Sequence, residues 1–299
     1  MLAAQNLSVG AFVNRLDPLE ELLQKKDCFK HHFVVASVYG TFPNVIFNGG
    51  RTLIHHYSNI GEKREWYKKK NYSWYDPQGM EALVRSYNER GIGVRYTYSN
   101  SMITTKLLGD KRANLTLEIA HNALNAVITS NPLIEQYIRK HYPRYKIISS
   151  ATSHKNLSVA FLKKRIDEVD LLVWPPEFND RYDLMVKLGP DKIEVILNER
   201  CVPFCPNRQT HYKSISKSQI NLNECYQQKN YLSRCPVYLA SEKGNPAKTM
   251  ELSDDKIIEL QKLGIYNFKF VGRHYSRDEF IIETEKYLVK VKDRVYRGS

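Results

Sequence analysis

Four of the chain's five cysteines, Cys201, Cys205, Cys225 and Cys235, fall in one segment, while Cys28 stands far off near the start. Thiolates are strong soft ligands, and four of them suffice for a zinc ion or for an iron–sulfur cluster. The segment opens Cys201-Val202-Pro203-Phe204-Cys205-Pro206, and its two prolines stiffen the loop, so less entropy is lost when a metal is gripped. The wide interval from Cys205 to Cys225 departs from a zinc ribbon, whose second half repeats a close pair. The spacing points to one metal centre on these four residues and leaves zinc and iron–sulfur open. Buried inert cysteines are the alternative, with His211 as a substitute ligand.

Other residues that could do chemistry sit at the ends of β-rich runs. Asn198 and Glu199 follow one such run, and Arg273 and His274 follow another. With His154, the first three form the expected catalytic set. Arg208, His211, Lys269 and His274 form the expected substrate-binding set. Arg273 could clamp a carboxylate or phosphate with both arms of its guanidinium, or simply pair with Glu199. His154 reads equally as a general acid–base or as the residue leading into a helix, and Glu177 as a helix cap. Gly49-Gly50-Arg51 could bring backbone N–H groups to an anion, though such a pair is more often only a tight turn. From Lys63 to Tyr75 the chain interleaves cations with Trp66, Tyr72 and Trp74, a pattern suited to phosphates and stacked bases, or to a solvated loop.

These residues need a scaffold that gathers them. Short apolar runs read as strands at Phe33–Val38, Val94–Tyr98, Ala126–Thr129, Lys146–Ser150, Val169–Val173, Ile193–Leu197, Val237–Ala240 and Phe268–Val271. Most are continuous and not alternating, as expected of strands covered on both faces. Helical patterns lie between most of them. Asp76 caps one that begins at Pro77, Asn131 caps one that begins at Pro132, and Gly264 closes one that begins after Ser253. Asn114–Leu124, Asn156–Ile166, Asp180–Leu188 and Ser276–Val291 supply the rest. The alternation predicts an α/β fold, a (β/α)8 barrel of the TIM type in a single domain over 1–299, with an open doubly wound sheet as the rival. Residues 1–30 read as a lead-in with a short helix from Asp17 to Leu23. The cysteine insert, 201–235, would follow the sixth strand in place of a helix, on the face where barrel enzymes work.

Lys and Arg number 45 against 32 Asp and Glu, a formal net charge of +13. Such a balance attracts polyanions, RNA first, or describes only a solvated surface. No apolar run is long enough to span a bilayer, and no secretory signal is expected at the N-terminus. A cytoplasmic protein with no membrane association is the expectation.

The run Cys-x-x-x-Cys-Pro-x-Arg-x-x-His-Tyr, from Cys201 to Tyr212, together with Ile257–Arg273, resembles the collagenase-like peptidase family. The latter stretch is similar to that family's helix, glycine, strand, Lys-Ile-Glu-Gly-Arg signature. It keeps Gly264, Lys269, Gly272 and Arg273 but has Phe270-Val271 where the family usually has Ile-Glu. The resemblance covers roughly residues 145–275. It implies a barrel with a four-iron–four-sulfur (4Fe-4S) cluster on the four cysteines, a redox partner, and oxygen-independent hydroxylation of RNA or of a small aromatic molecule. A non-catalytic RNA-binding or scaffold protein with a structural zinc is the rival reading. A peptidase finds little support, since the chain has neither His-Glu-x-x-His nor a nucleophile elbow.

Overall fold

The computed structural model describes residues 4–10, 16–25, 29–42, 44–49, 76–153, 158–220, 235, 236, 240, 243, 248–272, 275 and 277–290. Seven strands run in chain order: β1 (Gln5–Val9), β2 (Phe33–Gly40), β3 (Gly93–Thr97), β4 (Ala126–Thr129), β5 (Lys146–Ser149), β6 (Leu171–Val173) and β7 (Ile193–Ile196). Two short strands, β8 (Asn198–Glu199) and β9 (Met250–Glu251), precede β10 (Asn267–Phe270). β1 to β7 and β10 close into one parallel barrel, with β1 bonded to both β2 and β10. The expected TIM-type barrel is therefore the observed fold.

The helices are α1 (Leu16–Gln24), α2 (Pro77–Asn88), α3 (Lys111–Ile119), α4 (Pro132–His141), α5 (Val159–Glu168), α6 (Tyr182–Leu188), α7 (Arg208–Ile220), α8 (Asp254–Lys262) and α9 (Arg277–Tyr287). Their starts obey local chemistry. The side chains of Asp76, Asn131 and Ser253 each accept a first-turn N–H, from Gly79, Leu133 and Lys256 respectively. Gly264 takes φ +89°, the left-handed turn after α8 that a side chain would resist. The helices bury one stripe each, as with Met80, Val84 and Tyr87 on α2.

Alternation along the strands sorts two cores. Leu7, Val9, Val94, Tyr96, Val127, Leu172, Val195, Phe268 and Phe270 face the helices in the larger one. Tyr39, Ala126, Ile128, Ile148, Leu171, Val173 and Ile196 fill the barrel itself.

Two sequence expectations need correction. The segment before residue 30 is no mere lead-in, because Gln5–Val9 is the first barrel strand. With only Leu7 and Val9 apolar in five residues it carries little hydrophobic signal, and its place is settled by pairing on both edges. Pro236 and Ala240 are helical, which removes Val237–Ala240 as the seventh strand; residues 237–239 lie outside the described set. The cysteine segment thus follows the seventh strand and not the sixth, and it contains α7 where no helix was expected. Loops after any barrel strand emerge on the same face, so the segment keeps its place at the C-terminal mouth.

Candidate functional site

A cavity of about 110 Å³ opens at that mouth. Its walls come from the ends of six barrel strands: Tyr39, Thr97, Ile128, Val173, Ile196 and Lys269. Asn198, Glu199 and Arg200 from the β7 exit, Tyr212 from α7, Ser150, Ala151 and Thr152 after β5, Gly49 and Ser99 from the segments after β2 and β3, and Val271 after β10 complete it. A second recess of about 150 Å³ shares Gly49, Ser99, Thr152 and Tyr212 with the first, so the two form one divided mouth.

Beneath the cavity lies an ionic cluster. Arg95 Nη1 on β3 donates to Glu194 Oε1 on β7 at 2.5 Å, and Lys269 Nζ on β10 stands 3.5 Å from Glu194 Oε2. Lys269 Nζ also lies 4.1 Å from the centre of the Tyr39 ring, whose hydroxyl donates to Phe270 O. Glu194 is 1% exposed, so its charge is tolerable only because both cations meet it. Sequence reading found Lys269 and missed Arg95 and Glu194. The available signal was a charged residue at the inward phase of an otherwise apolar strand, twice, with opposite signs.

Asn198 is 1% exposed, and its side chain is a strut. Nδ2 donates to Val271 O at 2.7 Å and Val271 N donates to Oδ1 at 2.7 Å, with Tyr275 Oη 3.2 Å from Nδ2. Expected to be catalytic, it lines the cavity and also binds the exit of β7 to the exit of β10. Its neighbour Glu199 faces the cavity while Oε1 accepts the Cys201 N–H at 3.0 Å. The pairing of β8 with β9, and the bond from Met250 N to Cys201 O, close the base of the long excursion that carries the cysteines.

Cys201 and Cys205 are half-buried neighbours on this loop, and Cys235 is half-buried further along. Burial raises the Cys201 thiol, while the Arg208 guanidinium beside it pulls the other way, and Glu199 and Cys205 add to the rise. Arg208 also pairs with the buried Glu177 and donates to Val202 O at 3.1 Å, tying the loop to the turn after β6. Glu177 therefore anchors Arg208. His211 stacks on Tyr212, 6.0 Å between ring centres. α7 then lies over the mouth through polar contacts, with Asn100 Nδ2 donating to Ser216 O at 3.0 Å and Ser101 N donating to Ser216 Oγ at 3.3 Å.

The structure thus brings Asn198, Glu199 and Lys269 to one cavity, with Arg208, Cys201 and Cys205 on the adjoining loop, while His211 stands on α7 beside Tyr212. His154, Arg273, His274, Cys225, Cys28 and the 63–75 stretch lie outside the described residues. Among the described residues no group of three or more His, Cys, Asp or Glu is gathered to hold a metal. What they supply is a cysteine pair with a cation beside it. No helix among them is long and apolar enough to cross a membrane.

One solved structure shares this architecture across nearly the whole chain. It is the U32 peptidase Mk0906. The likeness covers 91% of this chain and 93% of that one, with a TM-score of 0.53 and 9% sequence identity. At that identity it is the fold that is shared, and it is a fold of the collagenase-like family that the Cys201–Tyr212 and Ile257–Arg273 stretches resemble. No family model matches the chain, and no curated protein matches it.

Proposed function

We propose that the chain is a barrel enzyme acting at this mouth, with an iron–sulfur cluster held by the cysteine segment, in a hydroxylation-type modification of RNA or of a small aromatic molecule. One observation carries the reading: Glu199 lines the cavity and also accepts the Cys201 N–H, so pocket and cysteine loop share a wall. The donor chemistry suits a thiolate-bound metal, since Cys201 and Cys205 are soft donors on a tight loop with Arg208 beside them. The four-thiolate set would be Cys201, Cys205, Cys225 and Cys235, of which Cys225 is undescribed. Such a cluster supplies one-electron chemistry when bound. Of the chain's own residues, Glu199 is placed to hold or take a proton from a molecule in the cavity. Asn198 keeps Glu199 in register with Val271, and Tyr212 with Ile128 and Val173 shields the cavity from water.

Anaerobic purification with iron, sulfide and zinc analysis tests the reading. Iron and sulfide near four each per chain are expected, falling in Cys201→Ser and Cys205→Ser. Colourless protein carrying zinc alone would sink the iron–sulfur part. It would also favour the rival, a non-catalytic RNA-binding protein with structural zinc, which the net charge of +13 supports. Peptide hydrolysis, the activity in the neighbour's name, has no further support in the mouth; casein left intact by the purified chain is the expected result.

A further inference from the structure

The second recess, of about 150 Å³, differs in chemistry from the first. Ser99 and Ser101 enter it from the loop after β3, Ser130 from the loop after β4, and Gln209, Lys213 and Ser216 from α7. No Asp or Glu stands among its described walls, whereas Glu199 lines the first cavity. Lys213 is exposed and forms no ion pair among the described residues, so its ammonium brings a positive charge to this recess with no carboxylate beside it. Hydrogen-bond donors gather in the same space. Ser216, 1% exposed, accepts from Ser101 N at 3.3 Å and from Ser101 Oγ at 3.4 Å, which leaves its own O–H to donate. Gln209 adds an amide. Donors around one cation, unopposed by an acid, suit a negative group with several acceptor oxygens.

The division of the mouth says how such a molecule lies. The two recesses share Gly49, Ser99, Thr152 and Tyr212, so one ligand can reach from either into the other. The first offers an apolar wall in Ile128 and Ile196, and its Glu199 opposes an anion there. A phosphate monoester carries close to two charges and three acceptor oxygens, more than a carboxylate brings, and so makes fuller use of the Lys213 side. We propose that the second recess is a phosphoryl seat, in which Lys213, Gln209 and Ser216 hold the terminal phosphate of a small organic phosphate whose apolar body lies in the first cavity on Ile128 and Ile196. This assignment rests on reading the mouth as the reaction pocket, and it names the substrate class as a small phosphorylated molecule.

Titration calorimetry on the full chain tests the seat, with phenyl phosphate, the diester phenyl methyl phosphate and inorganic phosphate as probes. Phenyl phosphate should bind saturably and more tightly than the other two, since the diester lacks the second charge and inorganic phosphate lacks the apolar body. Lys213→Met should weaken phenyl phosphate by about tenfold to a hundredfold, the loss of one charge-assisted hydrogen bond. Lys213→Glu should abolish its binding. Lys213 is exposed, so both variants should keep the parent's circular dichroism and melting temperature. The proposal is overturned if the folded chain does not bind phenyl phosphate, if the diester or inorganic phosphate binds as tightly, or if either variant binds like the parent. Binding is read whatever metal the preparation contains, so this test and that of the cluster fail separately.

Discussion

Arg95 and Glu194, 99 positions apart in the chain, meet inside the barrel, Nη1 to Oε1 at 2.5 Å. Their strands, β3 and β7, are not neighbours in the sheet, so the bond crosses the barrel and does not run along its wall. A buried pair of this kind contributes little beyond what a matched apolar pair would, but losing one partner strands the other in a poor medium. Arg95→Met should cost about 3–5 kcal/mol of unfolding free energy. The double change Arg95→Met with Glu194→Leu should cost less than the single one. Urea denaturation of the three proteins checks the order, and a double variant less stable than Arg95→Met would contradict it.

The strut from Asn198 to Val271 sets the second expectation. Asn198→Ala leaves the half-buried Val271 N–H and C=O without this partner, at up to about 1–3 kcal/mol for each group stranded. Asn198→Asp should be worse, because a carboxylate oxygen would face Val271 O where Nδ2 now donates. Thermal melts of both variants rank them, and equal melting temperatures for parent and Asn198→Asp would refute the assignment.

At the mouth, Gly49 is the residue that has no room to grow. A Cβ there would sit 2.2 Å from the carbonyl of Ser99, so backbone must move to admit it. This close approach accounts for the glycine. Gly49→Ala should cost about 1–3 kcal/mol as overpacking and shift the loop shared by both recesses. Proteolysis within residues 44–49 should quicken, and a variant as resistant and as stable as the parent would show that the approach is looser.

Arg208 holds two things at once, the buried Glu177 and the Cys201 thiol. Burial raises that thiol above its ordinary range, and Arg208 offsets part of the rise. Arg208→Met should therefore raise it further and slow alkylation of Cys201 by iodoacetamide at pH 8, followed by peptide mass spectrometry. Stability should fall by about 3–5 kcal/mol, as Glu177 loses its cation. Unchanged alkylation would mean that Arg208 does not act on the sulfur.

Away from the mouth, Glu135 on α4 should contribute to acid stability. Burial pushes its carboxyl up, but hydrogen bonds from Arg165 at 2.5 Å and Arg139 at 2.9 Å outweigh burial and hold it below the usual range. A depressed folded value stabilises the fold above the unfolded value of about 4.3, and that contribution is lost as pH falls through the folded one. Glu135→Gln should flatten the stability curve between about pH 5 and about pH 3, measured by chemical denaturation at each pH. Parallel curves for parent and variant would assign the acid limb elsewhere.

Much of the scaffold was legible in the residues because its signals are local. Asp76, Asn131, Ser253 and Gly264 mark helix ends through bonds and dihedrals that involve only their near neighbours. The continuous apolar runs from Val94 to Ile196 declare strands covered on both sides, and their alternation with helices is enough for the barrel class. Asn198, Glu199 and Lys269 could be placed at the mouth because each lies at or just beyond the C-terminal end of a strand. β1 was illegible, since Gln5–Val9 has two apolar residues and gains its place only from hydrogen bonds to β2 and β10, which are distant in the chain. α7 was hidden for a related reason: its covered face includes Ser216, Ser218 and Gln219, polar residues with no hydrophobic period to announce them. The sequence by itself determined seven of the eight barrel strands, several helix ends and the cysteine-bearing loop. Only the tertiary structure decided that Arg95, Glu194 and Lys269 share one buried cluster and that Asn198 is a strut, because charge pairing across a barrel depends on closure, which no local pattern records.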